Sequence, residues 1–461
     1  MSIIAAFMVP HPPMILPQVG QGRQSQIAKT IRAYEQVAME IAALNPDTIV
    51  ISSPHTVMYM DYFHISPGRS ARGSFASFGA PEARFEERYD TKLSGRIADL
   101  AEEKGFPAGF LGEREPALDH GTMVPLYFIR KYCPEFQIVR VGLSGLPLTD
   151  HYALGQLIQQ AAEETGRRTV YVASGDLSHK LQAYGPYGYA PEGPAYDERI
   201  MDVCGRGEFG ELFHFDDSFC EKAAECGHRS FVVMAGALDG RAVKAKCLSH
   251  EDVTGVGYGI CTFYPGENRE ERRFLERYLE EREADLVRQR EQADPYVRLA
   301  RETLERYILK REKLPLPEDL PQEMKLTQAG AFVSIHKLGK LRGCIGTILP
   351  TADCVAREIA NNAVSAATRD PRFPPITPEE LKWLEINVDV LGEPEDIDSP
   401  DQLDVKRYGV IVSRGAKRGL LLPDLDGVDT VEQQIDIARQ KAGIAPGVPV
   451  TLQRFEVTRH V

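Results

Sequence analysis

The sequence predicts an α/β protein whose N-terminal part is built on a mainly parallel, doubly wound sheet, followed by a smaller α+β region. Three observations carry this. Unbroken apolar runs, Ile3–Val9, Thr48–Ile51 and Thr169–Ala173, read as strands buried on both faces, as parallel sheets require. Stretches of helical periodicity fill the intervals between them, the alternation that builds a doubly wound sheet. Composition then changes after a highly charged segment at 266–293, and the strand patterns beyond it become shorter.

Taken in order, Ile3–Val9 ends at Pro10, Pro12 and Pro13, which cannot donate to a sheet ladder. Ser25 to Leu44 carries Ile27, Ile31, Tyr34, Val37, Ala38 and Ile41 at helical spacing, and Asn45-Pro46 ends it. The second strand follows at Thr48, and a short strand is expected at 63–65. Residues 67–88, rich in Gly, Ser, Ala and Arg, read as loop. Helices are expected at Leu93–Glu103, Met123–Tyr132 and His151–Glu164, with a strand at Phe136–Leu143 and the third apolar strand from Thr169. A Tyr/Gly/Pro-rich loop spans 181–194 and is placed to cover a site. A helix follows from Tyr196, another spans Glu225–Leu238, and strands at Val243–Ser249 and Val256–Phe263 close this part.

Residues 266–293 read as a charged helical linker, because acidic and basic residues are interspersed and the apolar stripe of Phe274, Tyr278 and Leu286 is thin. The domains are thus 1–265, the linker 266–293, and 294–461. In the last, a helix (Val297 to Ile308), strands at Gly330–His336 and Glu385–Leu391, a helix at Ala352–Thr368, a hairpin around Arg414-Gly415 and a helix at Val431–Ala442 make an α+β domain.

Composition narrows the function. The chain has 461 residues, 43% hydrophobic and 26% charged, with a net charge of −13. That charge disfavours nucleic acid and anionic membranes as partners. No apolar stretch reaches the roughly 18 residues of a membrane-spanning helix, and the N-terminus lacks a signal-peptide pattern. The 8 cysteines show no CxxC pair, so a reducing cytoplasm is expected. All histidines but His336 and His460 precede residue 265, which places histidine chemistry in the first domain.

Each of the three apolar strands ends in a histidine: Val9-Pro10-His11-Pro12-Pro13, Ser52-Ser53-Pro54-His55, and Ser174-Gly175-Asp176-Leu177-Ser178-His179. Parallel neighbours lie about 5 Å apart, and ligands of open α/β sheets bind at the carboxyl edge. The three imidazoles are therefore expected to share one site. Two imidazoles and one carboxylate on one face of a metal leave positions open for O2 and a chelating substrate, which suits non-heme Fe(II). His11 and His55 are the candidate imidazoles. Glu225, read as opening a helix whose dipole favours its ionised form, is the candidate carboxylate. Its neighbour Cys226 is the alternative third ligand, and a thiolate would shift preference toward Zn(II) or a redox ion. His179 suits general acid/base work near neutral pH. His120, at a loop before a helix, is a catalytic and substrate-contacting candidate; Tyr184 and His228 are further substrate-side candidates.

These segments, VPHPP, SSPH, LDHG at 118–121 and SGDLSH, resemble the class III extradiol ring-cleavage dioxygenases, the LigB-like superfamily, over residues 1–265. The resemblance implies Fe(II) on His11, His55 and Glu225, His179 as acid/base and His120 near the substrate. Cys226-Gly227, with Ser249-His250-Glu251 and Gly255-Val256-Gly257-Tyr258-Gly259, is similar to the related Memo branch, which uses a cysteine near the third ligand position. LRGCIGT at 341–347, DPRFPPI at 370–376, KRGLLLP at 417–423 and KAGI at 441–444 resemble the AMMECR-type domain over 294–461. The fused pair is similar to the AmmeMemoRadiSam system protein A type, which implies a radical SAM protein as partner. Two functions follow. One is an extradiol-type dioxygenase acting with O2 on a catechol, triol or aminophenol. The other is a Memo-type metal-binding redox or interaction protein. A homo-oligomer is expected, and Cys344 is either a reactive thiol or a structural one.

Overall fold

The computed structural model describes residues 3–114, 116–425 and 427–461. It divides into two compact units, Met1–Leu279 and Glu280–Val461.

The first unit is organised by a six-stranded sheet of β1 (Ile3–Val9), β2 (Thr48–Ser53), β3 (Gln137–Gly142), β4 (Thr169–Ser174), β5 (Arg241–Glu251) and β6 (Tyr258–Asn268), in the order β3-β2-β4-β1-β6-β5. The first four are mutually parallel; β6 runs antiparallel to β1, and β5 antiparallel to β6. All six residues of β2 and all six of β4 are buried, as expected for strands covered on both sides. Alternate side chains face two cores. Ala6, Met8, Val50 and Tyr171 enter one, with α2 (Thr91–Glu103), α4 (Leu148–Thr165), α5 (Glu192–Arg206) and α6 (His228–Gly236) packed over them. Ala5, Phe7, Ile49 and Val172 enter the other, under α1 (Ala28–Leu44) and α3 (His120–Ile129).

Two expectations are corrected here. Residues 67–88 are not loop: Ser70–Phe75 and Ala80–Arg88 pair antiparallel. Their mixed, partly exposed side chains hide the alternation that marks a half-buried strand. The helix expected from Glu225 begins only at His228, which leaves Glu225 and Cys226 in the preceding turn.

Helix α7 (Phe274–Gln292) contains the division between the units. It is less solvated than its charges suggest. Phe274 and Tyr278 pack on the first unit's core, while Leu286 is buried and Arg282 pairs with Glu385 at 2.6 Å in the second unit.

The second unit has two antiparallel four-stranded sheets. One is ordered β8 (Lys340–Gly346), β7 (Ala331–Lys337), β9 (Leu384–Leu391) and β14 (Val457–His460), packed against α8 (Pro295–Lys310) and α9 (Val355–Thr368). The other is ordered β10 (Glu395–Ile397), β13 (Thr451–Phe455), β11 (Gly409–Arg414) and β12 (Lys417–Leu421), with α10 (Val431–Lys441) over it. No described helix is long and apolar enough to cross a membrane.

Helix α6, whose N-terminus adjoins Cys226, is held by a close crossing with α4. A Cβ on Gly155 would lie 2.1 Å from the Val233 carbonyl, and one on Gly236 2.0 Å from the Tyr152 carbonyl. Backbone atoms cannot yield as a side-chain tip can. Gly155→Ala should therefore destabilise the first unit by about 1–3 kcal/mol, the usual cost of overpacking. Denaturant midpoints of the full chain, followed by a probe in that unit, measure this, and an unchanged midpoint would disprove the crossing.

Candidate metal centre

The site sits at the carboxyl edge of β1, β4 and β2. The parallel ladder sets Val9 opposite Ser174 and Ser52 opposite Ala173, so the three strands end level. The chain then turns at each strand, and His11, His55 and the 176–179 segment share one rim. His120, the first residue of α3, completes it. The ring centroids of His55 and His120 are 4.1 Å apart, and those of His11 and His120 5.4 Å. His11 is buried, His120 half-buried and His55 exposed, so the cluster opens to solvent on the His55 side.

Hydrogen bonds assign the His11 tautomer. Ser174 Oγ donates to the Gly121 carbonyl at 2.6 Å, which commits its only proton. It therefore accepts from His11 Nδ1 at 3.0 Å. Nδ1 carries the proton, and Nε2 is left with a free lone pair. The His11 backbone N–H is fixed by Asp176 Oδ1 at 2.7 Å. On the other strand, His55 N–H donates to Ser53 Oγ, which donates to Asp119 Oδ1 at 2.7 Å. Asp119 also caps α3 through Thr122 and lies 3.8 Å from buried Arg140. Burial opposes its ionisation, but Arg140 and these donors hold its carboxyl below the ordinary value.

The free Nε2 of His11 faces His55 Nε2 at 3.0 Å and Cys226 Sγ at 3.6 Å. All three donor atoms lie within 4.8 Å of one another. Around a tetrahedral ion with bonds of about 2.0–2.1 Å to nitrogen and about 2.3 Å to sulfur, donors stand about 3.3 Å (N–N) and 3.6 Å (N–S) apart. The set fits a metal ion. Burial, then repulsion from His55 and His120, holds His11 well below the usual imidazole range; burial lowers His55 and brings His120 to about 4. Neutral imidazoles offer lone pairs without proton competition. Burial and the charges of Asp176 and Glu225 push the Cys226 thiol up, an effect that a bound cation would reverse.

Cys226, not Glu225, meets the imidazoles. Glu225 Oε2 instead accepts from His228 N–H at 2.6 Å and so caps α6. Its carboxyl is buried away from the cluster, which raises it to about 7. A glycine contact fixes this choice: a Cβ on Gly175 would lie 2.2 Å from Gly227 Cα, so the turns after β4 and before α6 touch backbone to backbone. His228 is also not at the site. It is buried, bonded to the Leu212 carbonyl at 3.0 Å, and sits against Tyr196 and Phe215. Burial lowers it to about 4. Tyr184 points outward, 74% exposed, with its hydroxyl 3.4 Å from the Val253 carbonyl. Tyr187 of the same loop, also exposed, is the one that meets the site, its ring 5.1 Å from that of His179. His179 Nδ1 donates to the Ala224 carbonyl, which places the ring proton on Nδ1 and leaves the Nε2 lone pair free.

Sequence reasoning passed over Ser174, which orients the His11 imidazole, and Asp119, Arg140 and Asp176, which support the backbone at His55 and His11. The signal for Asp119 and Asp176 was their place inside the LDHG and SGDLSH segments. Phe78, from the unpredicted hairpin, adds a wall 5.2 Å from His120.

A family model described as the catalytic LigB subunit of aromatic ring-opening dioxygenase matches residues 5–261, and one described as AMMECR1 matches residues 297–460. Protein CA_C1420 of Clostridium acetobutylicum is 40% identical over 469 residues, spanning 100% of this chain and 99% of its own. A Thermotoga maritima protein is 49% identical over 168 residues, 36% of this chain and 97% of its own. Among solved structures, uncharacterized protein PH0010 from Pyrococcus horikoshii has 31% identity and a TM-score of 0.34, over 36% of this chain and 88% of its own.

The donor geometry predicts how metal content responds to substitution. Protein purified without oxygen should lose its metal in His11→Ala and His55→Ala, lose most of it in Cys226→Ala, and retain it in Glu225→Gln. Elemental analysis per chain decides this. Retention in Cys226→Ala with loss in Glu225→Gln would reverse the assignment.

Proposed function

Because the chain belongs to the LigB family over residues 5–261 and carries an AMMECR1 domain over 297–460, we propose that its first unit is a metal-dependent, extradiol-type dioxygenase acting on a catechol, triol or aminophenol-like aromatic. The observation that supports this best is the clustering of His11, His55 and His120 at one solvent-open strand edge, with Cys226 beside them. Helices on both faces support reading the sheet as doubly wound, and the carboxyl edge is where such sheets bind ligands.

His11, His55 and Cys226 would hold the ion, with Fe(II) as the proposed metal and Zn(II) the alternative. When bound, the ion supplies Lewis acidity to a substrate with two adjacent heteroatoms and, as Fe(II), a route for O2. The protein's own groups do the rest. His179, with Nδ1–H tied to the Ala224 carbonyl, presents Nε2 to take a proton from a substrate hydroxyl and later return it. His120 is held neutral by burial and can donate or accept one hydrogen bond at the substrate. Phe78 and Tyr187 offer aromatic surface beside these histidines.

A second reading rests on Cys226. A third ligand that is a thiolate and not a carboxylate departs from the facial triad and favours Zn(II) or a redox ion. Under it the unit is a Memo-type metal-binding redox or interaction protein that works with a radical SAM partner.

The test is oxygen uptake by the iron-loaded protein against catechols, gallate-like triols and aminophenols. His179→Gln should keep its metal while turnover falls roughly 100-fold, the contribution of a placed proton-transfer group. A wild type that consumes no oxygen with any of them favours the second reading. Loss of metal in His179→Gln would make His179 a ligand.

A further inference from the structure

The second unit contains a cavity of about 1040 Å³ that the proposed chemistry leaves unused. Four separate segments marked out by sequence meet at it: Cys344 from LRGCIGT, Arg372 from DPRFPPI, Arg418 from KRGLLLP and Lys441 from KAGI. These lie on β8, the turn after α9, β12 and the end of α10.

The cavity floor is a polar row across three strands. Cys344 pairs with Ser334, and Ser334 with Asn387. Ser334 Oγ donates to Cys344 Sγ at 3.3 Å, and the Arg372 guanidinium bonds the Cys344 carbonyl at 3.3 Å and reaches its thiol. The charges are not balanced. Arg372 is committed to Asp370 at 2.6 Å, and Arg459, also lining, to Asp389 at 2.9 Å. Asp424, the other lining carboxylate, is committed to Lys406 at 3.0 Å. Exposed Lys441 and Arg418 have no carboxylate partner among the described residues, which leaves two lining cations without a paired acid. Phe332, Leu420 and Leu422 supply an apolar wall. An anion on an apolar body matches both features.

We infer that this cavity is a second ligand site, which binds a small organic anion, a carboxylate or phosphate on an apolar body, between Lys441 and Arg418 and beside the Cys344 thiol.

The thiol reports on the site. Alkylation of the full chain by iodoacetate and by iodoacetamide is timed, with Cys344 followed by peptide mass mapping; in both reactions the thiolate sulfur displaces iodide from carbon. Small thiols in solution prefer the neutral reagent. At Cys344 the anionic reagent should react about tenfold faster, as a cationic cleft raises the local anion concentration. Lys441→Gln and, separately, Arg418→Gln should remove that preference and leave the iodoacetamide rate nearly unchanged. Protection by benzoate assigns a carboxylate ligand, and protection by inorganic phosphate a phosphate one. Either supports the site. Equal or slower reaction with iodoacetate, no protection by either anion, or no alkylation by either reagent would overturn it.

Discussion

The parallel ladder of β1, β4 and β2 is the constraint on which the site depends. Its register sets Val9 beside Ser174 and Ser52 beside Ala173. Strands that end level release their chains at the same height, and neighbours about 5 Å apart put the next residues within reach of one ion. A one-residue slip of β1 would turn alternate side chains into the wrong core, Phe7 for Met8. The burial that fixes the register of the hydrophobic faces therefore also fixes where His11 and His55 stand.

Orientation comes from a layer of polar groups just behind the imidazoles. Ser174 and Gly121 set the His11 tautomer; Ser53 ties the His55 backbone N–H to Asp119, which in turn meets Arg140 and caps α3. Such supports keep a ligand's lone pair aimed before any ion arrives. Burial adds the second condition by keeping His11 and His120 neutral. The result is a donor set at a mouth open to solvent beside exposed His55.

Much of this was readable in the sequence, for a physical reason. Strands buried on both faces must be continuously apolar, so Ile3–Val9 and Thr169–Ala173 announce themselves, and Pro10 marks where β1 stops. The choice between Glu225 and Cys226 was not readable. Two adjacent residues differ only in which way the turn faces, and that is set by the backbone contact of Gly175 with Gly227 and by the start of α6 at His228. His228 looked like a site residue because it is near Glu225 in sequence, yet the helix carries it into the core beside Tyr196. Tyr184 and Tyr187 are equivalent in composition, and the loop alone decides that Tyr187 meets His179. The hairpin at 70–88 escaped because its partly exposed side chains lack alternation, and Phe78 went with it. In the second unit, LRGCIGT and KAGI are almost a hundred residues apart, and only the packing of the two sheets shows that Cys344 and Lys441 line one cavity.

The central claim is that two imidazoles and the Cys226 thiolate form the donor set. X-ray absorption at the metal edge of the loaded, oxygen-free protein tests it most directly. One sulfur scatterer at about 2.3 Å with two imidazole nitrogens at about 2.0–2.1 Å is the predicted shell. A shell of nitrogen and oxygen alone, unchanged in Cys226→Ser, would contradict it.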